Sequence, residues 1–436
     1  MLPEDVVNLG LKLGANDVVC EIIDTTTRQV KFVNNVIVVN KLWKEEVMNI
    51  FLSWRKRVIS SSIQSNVDVK KFLKKMLKAA KLSKPKEDYY GIAEGPFKYR
   101  QIEDSYDKKI EKLNGKEVEL TREAIEASLK NADRCSGVLY TNCWKTELAS
   151  SNSVKAKDKG TSISLSIRSF TEDSSGHSVS VSRKLSKFEP RKAGEESSRL
   201  AKESRKPKKG KAGRYDVIFH PLVMANLLDY MSYGFSAFEV DAGTSFLIDK
   251  LGKKVANKIV TIEDDGRMKN GFGARKFDEE GRPTQRTKII ENGILKNYLH
   301  NTSTAKKFKV KPTANAGIIY PQPWNLILKN GNSNLEEMIS EVKDGLYVTN
   351  TWYTRFSNYR TGDFSTIPRD AIFRIKNGEI VGAVRGIRIS DNMLRILKNI
   401  VEISKERKQI YWWEVNVPVL TGYVLVNNVN VTSSVK

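Results

Sequence analysis

The amino-acid sequence predicts an α+β fold in two domains: a helix-covered antiparallel sheet domain, followed by a mainly antiparallel β domain with a few helices. The chain has 436 residues, which is long for a single hydrophobic core. Segments rich in β-branched and aromatic residues recur in both halves, and tight-turn pairs separate several of them. A basic stretch without core-forming residues lies between the halves. We therefore predict an N-terminal domain at 1–203, a linker at 204–213 and a C-terminal domain at 214–436.

The N-terminal domain is predicted to open with a short helix and an antiparallel meander. Pro3 and the two acidic residues after it suit the first turn of a helix over residues 3–14. The Asn34-Asn35 pair supplies turn chemistry between two runs of strand-forming residues. The meander is predicted as four strands, at 18–24, 28–33, 35–43 and 47–54.

The next predicted element is an amphipathic helix at 69–84. Its apolar face is expected to pack on the sheet, whereas its other face carries lysines. A basic amphipathic helix can also bind a membrane surface or nucleic acid, but a solvated outer face is the favoured interpretation. The apolar residues are Val69, Phe72, Leu73, Met76, Leu77 and Ala80, and the lysines are Lys70, Lys71, Lys74, Lys78 and Lys81.

Two more helices and three more strands complete the predicted N-terminal domain. The first helix spans 121–134 and the second spans 190–203. The strands lie at 136–144, 161–170 and 175–185. The side chains of the first helix that are expected to face the core are Ala124, Ile125, Leu129 and Ala132.

The C-terminal domain is predicted as a strand at 215–220, a helix beginning at Pro221 and including 225–240, and then mainly hairpins. Asn-Gly pairs at 292–293 and 377–378 predict tight turns. The remaining strands are predicted at 259–264, 287–299, 371–384 and, as a final pair, within 412–431. Ser333 and Glu336 have capping-box spacing before one short helix, and Ser390 and Asp391 precede another. Of Trp412 and Trp413, one is expected to face inward and one outward.

Composition excludes several classes of protein. A 40% apolar and 29% charged chain is predicted to fold. The N-terminus does not resemble a signal peptide and no apolar run is long enough to span a membrane, so we predict a cytoplasmic protein without membrane contact. Three cysteines, Cys20, Cys135 and Cys143, suit buried thiols better than a disulfide scaffold or a structural zinc site.

The formal net charge of +23 is the strongest compositional signal. A field of that size attracts nucleic acid or acidic partners, and the attraction falls with salt. The lysines are spread along the whole chain, which also fits a protein from a hot environment. The linker at 204–213 holds five positive charges, two glycines and a proline. It is interpreted as a solvated connection, with a nucleic-acid contact as the alternative.

Local catalytic motifs are absent from the sequence. The three histidines, His177, His220 and His300, are isolated and are interpreted as structural. No nucleophile elbow, P-loop or dinucleotide-binding glycine motif occurs. The acidic clusters at 262–266 and 277–281 could hold a hard cation, but turn-forming carboxylates are the favoured interpretation.

The second half resembles the TldD/PmbA family, also called modulators of DNA gyrase. Residues 278–308 show an acidic-Gly turn, a Thr-x-Arg-Thr strand, an Asn-Gly hairpin, a Tyr-Leu strand end and a Ser-x-Ala helix start in the family's order. Further resemblance lies at 245–255, 313–317, 358–366 and 375–384, and more weakly in the N-terminal meander. The resemblance covers nearly the whole chain.

In the metal-bearing branch of that family, the helix corresponding to 225–240 carries HExxxH after a Leu-Leu pair, and a distant cysteine completes a zinc site. Aligning residues 227–228 with that pair puts Asp229 at the first histidine. Tyr230 then takes the place of the glutamate, and Gly234 takes the place of the second histidine. Glycine has no ligand atom, and a phenol with a pKa near 10 is a poor general base.

The resemblance therefore implies the PmbA branch, also called TldE, with no catalytic, cofactor-binding or metal-binding residues of its own. Zinc is expected on a TldD-like partner subunit. The pair would be a heteromeric metallopeptidase acting on unfolded or leader-type peptides held between the subunits, so that activity appears only in the complex.

Two other functions remain open on the sequence. The first is a nucleic-acid or DNA-gyrase-associated binding protein, which the charge and the family's other name suggest. The second is a peptidase with an unfamiliar mechanism that uses Asp229.

Overall fold

The computed structural model describes residues 1–64, 67–317 and 319–433. Within them the chain forms three sheets with helices packed against them, which confirms the predicted α+β class. No helix in these three ranges is both long and apolar enough to cross a lipid bilayer.

Six antiparallel strands form the first sheet: β1 (Asp17–Val33), β2 (Val36–Trp54), β3 (Arg57–Gln64), β4 (Arg134–Ser150), β5 (Lys155–Phe170) and β6 (Ser175–Ser182). Their spatial order is β3-β2-β1-β4-β5-β6. One face packs against helices and the loops that join them. The helices of this part are α1 (Pro3–Lys12), α2 (Val69–Leu82), α3 (Lys108–Glu111), α4 (Glu117–Ser128) and α5 (Pro190–Glu203).

The first sheet corrects several predicted boundaries. The four strands predicted between residues 18 and 54 are two long ones, because the polar residues between the apolar runs also pair, as Thr26 does with Lys44. Helix α4 begins and ends earlier than the predicted 121–134. Leu129 follows its last turn and is 40% exposed, so the prediction that it faces the core is wrong.

The second sheet contains β9 (Ile262–Asp265), β10 (Arg286–Glu291), β11 (Ile294–Leu295), β12 (Leu326–Leu328), β18 (Lys408–Trp412) and β19 (Val415–Thr421). The third contains β7 (Lys208–Lys209), β8 (Gly213–Phe219), β13 (Asp344–Asn358), β14 (Asp363–Lys376), β15 (Glu379–Arg385), β16 (Ile387–Asn392), β17 (Ile400–Ile403) and β20 (Val424–Ser433). Most pairings are antiparallel, and three pairs are parallel: β8 with β13, β12 with β19, and β7 with β15.

The helices of the second half are α6 (Pro221–Phe235), α7 (Ala237–Asp241), α8 (Thr302–Phe308), α9 (Leu335–Glu341) and α10 (Met393–Lys398). The single helix predicted over 225–240 is wrong, because extended backbone at Ser236 separates α6 from α7. The capping box of α9 uses Asn334 and Glu337, one residue later than predicted. Asn392 caps α10, which is only one and a half turns long before β17 begins.

The end of the chain differs most from its prediction. The last two strands, β19 and β20, belong to different sheets and do not pair with each other.

Within the linker predicted at 204–213, Lys208 and Lys209 pair with β15, so this part of the connection is held against the third sheet. Trp412 is buried and Trp413 is 60% exposed, as predicted.

Candidate functional site

Helix α6 carries the positions that the sequence aligned with a zinc motif. Pro221 occupies its first turn, and the His220 Nδ1 atom caps it by accepting a hydrogen bond from the Leu222 N–H at 3.1 Å. Eleven of its fifteen residues are buried, so the helix is a core element rather than a surface one. It packs against β13 and β19.

Both oxygens of the Asp229 carboxylate accept a hydrogen bond from the backbone. Its Oδ1 atom accepts from the Val417 N–H at 2.9 Å, and its Oδ2 atom accepts from the Asn416 N–H at 3.1 Å. Burial raises the pKa of this carboxyl to about 6. Asp229 therefore holds the start of β19 in place, and a metal would have to compete with both hydrogen bonds.

Tyr230 lies at the position of the motif's glutamate. Its hydroxyl accepts a hydrogen bond from the Arg355 guanidinium, and burial raises the pKa of the phenol above its usual value. The phenol therefore stays protonated near neutral pH and cannot take a proton from water as a carboxylate does.

Gly234 has no space for a ligand side chain. A Cβ atom there would lie 2.6 Å from Cε1 and 2.8 Å from Cζ of the buried Phe246 ring. The Gly234 carbonyl also accepts a hydrogen bond from Ser245 at 2.8 Å. The region that a second histidine would occupy is thus filled by Phe246.

The residues at α6 do not fit a zinc ion. Across the described ranges, no group of three or more His, Cys, Asp or Glu side chains is arranged to hold a metal. The three free cysteines lie in the first sheet, and burial raises the pKa of the Cys20 thiol to about 12. The expectation that this chain carries no metal remains a prediction.

Two of the three histidines are hydrogen-bonded within the fold, as the structural interpretation predicts. His177 contacts Ser166 and Asn350, and burial lowers its pKa to about 3. His220 is buried beside the Glu196 carboxylate at 3.3 Å. The His300 ring packs against Phe308, but its buried Nδ1 atom has no hydrogen-bond partner in the structure described.

The two acidic clusters have different roles. Asp278 is a turn carboxylate as predicted, because its Oδ1 atom accepts from the N–H groups of Glu280 and Arg282. Asp264 is not: it lies in β9, fully buried, and its Oδ1 atom accepts from the N–H groups of Trp324 and Asn325 at 2.7 and 2.9 Å. The turn interpretation fails for Asp264 because the strand continues through it, whereas Asp265, at the end of the strand, accepts from the Arg267 N–H at 2.8 Å and is a turn carboxylate as predicted.

A cleft of about 850 Å³ lies beside the hairpin formed by β18 and β19, and the sequence did not predict it. The face of the first sheet that points away from the helices forms its floor, and the β18–β19 hairpin forms one wall. The floor carries uncharged polar side chains together with three charged ones, Lys31, Glu45 and Arg168, and several apolar ones. The uncharged polar ones include Thr27, Gln29, Tyr140, Asn142, Ser164 and Ser166, and the wall carries Tyr411, Trp412, Trp413 and Asn416.

The sequence signal for the floor is the period-two pattern of serines in residues 161–170. The apolar residues between them face the helices, and the serines face the cleft. A solvent-exposed sheet face gives the same pattern, so the sequence alone cannot distinguish the two.

Comparison with known families gives two matches. The central domain of the PmbA/TldA metallopeptidases matches residues 100–205, and the C-terminal domain of the same family matches residues 212–433. The second match alone covers more than half of the chain.

Curated relatives carry metalloprotease names. A protein named Metalloprotease from Methanothermobacter thermautotrophicus is 34% identical over 224 residues, which are 50% of this chain and 47% of that protein. Metalloprotease PmbA from Escherichia coli O157:H7 is 32% identical over 200 residues, which are 46% of this chain and 43% of that protein. The chain thus spans less than half the length of each of these two relatives.

The fold also resembles solved structures over its full length. TldE from Thermococcus kodakarensis superposes with a TM-score of 0.88 at 21% identity, covering 99% of this chain and 99% of that chain. At this identity the likeness concerns the fold alone, and the family follows from the matched domains. This chain is a member of the PmbA/TldD family of metallopeptidases.

Proposed function

We propose that this chain is the noncatalytic, TldE-like subunit of a heteromeric zinc metallopeptidase whose metal lies on a TldD-like partner. The substrates are unfolded or leader-type peptides, and the complex works in the cytoplasm. Family membership supports a role in peptide hydrolysis.

The state of α6 is the observation that carries the proposal. Of the three motif positions, Asp229 is used by two backbone N–H groups, Tyr230 is a protonated phenol, and Gly234 is covered by a buried ring. Each group lacks what zinc hydrolysis needs, for an independent reason. A catalytic role for Asp229 is disfavoured by the same two hydrogen bonds.

The test is reconstitution with a TldD-like subunit from the same host. Zinc content and hydrolysis of an unstructured peptide are measured for this chain, for the partner and for the mixture after gel filtration. We expect co-elution, zinc only in fractions that contain the partner, and full activity only in the mixture. Stoichiometric zinc and hydrolysis by this chain alone would falsify the proposal.

Nucleic-acid binding is the second candidate function, and α2 is the observation that favours it. The helix contains no acidic residue, and six lysines on it are exposed: Lys70, Lys71, Lys74, Lys75, Lys78 and Lys81. None of the six forms an ion pair with another described residue. The apolar residues of α2 apart from Phe72, Ala79 and Leu82 are buried in the core, so the helix has no continuous apolar face to insert into a membrane.

Duplex DNA binding at several salt concentrations tests this candidate. Replacing Lys70, Lys74, Lys75 and Lys78 by Gln should weaken binding and reduce the salt slope by about 0.9 for each lost phosphate contact. The control replaces four other exposed lysines, Lys253, Lys254, Lys258 and Lys296, by Gln. Equal losses in both variants would show a diffuse charge effect without a binding face.

A further inference from the structure

We infer that the cleft beside the β18–β19 hairpin binds a segment of extended peptide. The peptide backbone forms hydrogen bonds with Ser166 and neighbouring side chains, and the peptide side chains pack on Trp413. The inference rests on the proposed function and locates part of the substrate on this subunit. Its grounds are the length of the cleft, the chemistry of its floor and the aromatic wall.

The cleft is elongated rather than compact. It adjoins two further cavities of about 380 and 410 Å³, and all three share Asn416 in their lining. Along β1 the lining runs from Glu21 to Lys31, which corresponds to about 33 Å of strand. A trough of this length matches an extended chain of about ten residues.

The floor suits a peptide backbone. Thr27 donates to Asn142 at 2.8 Å, and Asn142 donates to Ser162 at 3.2 Å, so hydrogen bonds across three strands fix the Asn142 amide in the floor. Neutral polar side chains with a remaining donor or acceptor can bond to carbonyls and N–H groups of a peptide without selecting a sequence. The cleft is not a cationic groove of the kind that follows a phosphate backbone, because Arg168 is paired with the buried Asp370 and the remaining charged lining residues, Lys31 and Glu45, have opposite signs.

The Ser166 hydroxyl proton is free for a ligand because the histidine beside it is locked in one tautomer. Asn350 Oδ1 accepts from the Thr351 N–H at 2.9 Å, and Asn350 Nδ2 donates to Asp370 at 2.8 Å, so the amide orientation is fixed. The same Nδ2 faces His177 Nδ1 at 3.1 Å, which must therefore be the acceptor. The neutral ring then carries its proton on Nε2.

His177 Nε2 lies 2.9 Å from Ser166 Oγ and donates to it. Ser166 cannot return its own proton to that nitrogen, so the pair is not a nucleophile and its base. Since Oγ has no other partner among the residues that the structure describes, the hydroxyl proton is available to a carbonyl oxygen in the cleft. A fixed donor on a rigid strand is a preorganised anchor.

The wall supplies apolar contact. Trp413 is 60% exposed, and its indole is set edge to face against Trp352 and Trp412 at ring-centroid distances of 5.1 and 5.5 Å. An exposed but braced aromatic ring binds side chains at low entropic cost. Side chains of an extended peptide that point away from the floor would meet this ring.

The test measures binding of a fluorescently labelled, unstructured decapeptide to the full chain by anisotropy. Trp413→Ala should raise Kd by about tenfold or more, and Ser166→Ala should raise it by about 3- to 10-fold. Ser166→Thr keeps the hydroxyl and should bind like the wild type. Tyr90→Ala, at an exposed aromatic residue outside the cleft, and Ser61→Ala, on β3, are the matched controls.

No binding by the wild type, or equal binding by the wild type and both cleft variants, overturns the inference. Displacement of the peptide by a neutral oligosaccharide at lower concentration does so as well, because it assigns the cleft to sugars. If a reconstituted complex hydrolyses peptides at the same kcat/KM with and without Trp413→Ala, the inference that the cleft binds substrate is wrong, whereas the proposed function is unaffected. If the chain assembles with no TldD-like subunit but the cleft variants still weaken peptide binding, the proposed function is wrong, whereas peptide binding by the cleft is upheld.

Discussion

Replacing Gly234 by Ala tests whether the second ligand position of α6 is closed. The new Cβ would lie 2.6 Å from Phe246 Cε1, whereas carbon atoms in contact lie about 3.5 Å apart. The ring would have to move by about 1 Å. It is 2% exposed and is backed by Gly362, where a Cβ would itself approach Phe246 to 3.1 Å, so it has little freedom to do so.

Two opposing effects set the magnitude for Gly234→Ala. Overpacking of a core costs about 1–3 kcal/mol, and the enclosed ring places this site at the upper end. Alanine regains about 1 kcal/mol over glycine within a helix. The free energy of unfolding should therefore fall by about 2 kcal/mol, which lowers Tm by about 4–8 °C for a cooperative unfolding unit of about 200 residues.

Thermal unfolding followed by circular dichroism measures this effect. Phe246→Leu is made alone and together with Gly234→Ala, because a smaller side chain at 246 should leave room for the new methyl group. The loss of stability in the double variant should therefore be smaller than the sum of the losses in the two single variants. A Tm at or above that of the wild type for Gly234→Ala would show that helix propensity dominates. The position would then have room for a side chain, and the argument against a metal ligand there would fail.

Three further substitutions test the contacts around the site by changes in Tm. Asp229→Ala leaves the N–H groups of Asn416 and Val417 unpaired, so the free energy of unfolding should fall by about 2 kcal/mol or more, with a smaller loss for Asp229→Asn. Arg183→Lys removes a buried guanidinium fork that donates to several backbone carbonyls, which should cost about 3 kcal/mol. Glu280→Gln should flatten the dependence of Tm on pH. Burial, with the neighbouring carboxyl, raises the pKa of Glu280 to about 8. The stabilisation that the protonated Glu280 carboxyl provides is therefore complete below pH 4.5 and is lost as pH rises through about 8. Tm should fall between pH 5 and pH 8.5 by more in the wild type than in the variant, which keeps the raised pKa values of Asp229, Asp264 and Asp278.

Elements with a local signal could be predicted from the sequence. Both residues of the Asn34-Asn35 pair have positive φ, as do the Asn-Gly pairs at 292–293 and 377–378, and each joins two antiparallel strands. The helix at 190–203 and the start of α6 at Pro221 have the predicted bounds. In each case the determinant is a turn or cap residue whose backbone preference acts over four residues or fewer.

What depends on distant residues could not be predicted. The sequence shows that two strands end the chain, but their partners are set by packing around α6, which separates them into two sheets. Arg183 has no sequence signal, although its guanidinium joins Ser105 to the loop at 271–274. The division into domains at 204–213, the partner subunit and the location of zinc remain predictions.

The cleft wall and the aligned motif positions are linked through α6. Asp229 holds Asn416 and Val417, and Asn226, one turn earlier, donates to the Glu414 carbonyl at 2.8 Å. Asn226 and Asp229 therefore both support the turn that carries Trp413 into the cleft. A zinc site on this helix would need position 229 for the metal, so the same residue could not also accept the hydrogen bonds of Asn416 and Val417. In this chain Asp229 braces the hairpin, and the inferred peptide site therefore depends on α6 for the position of its wall.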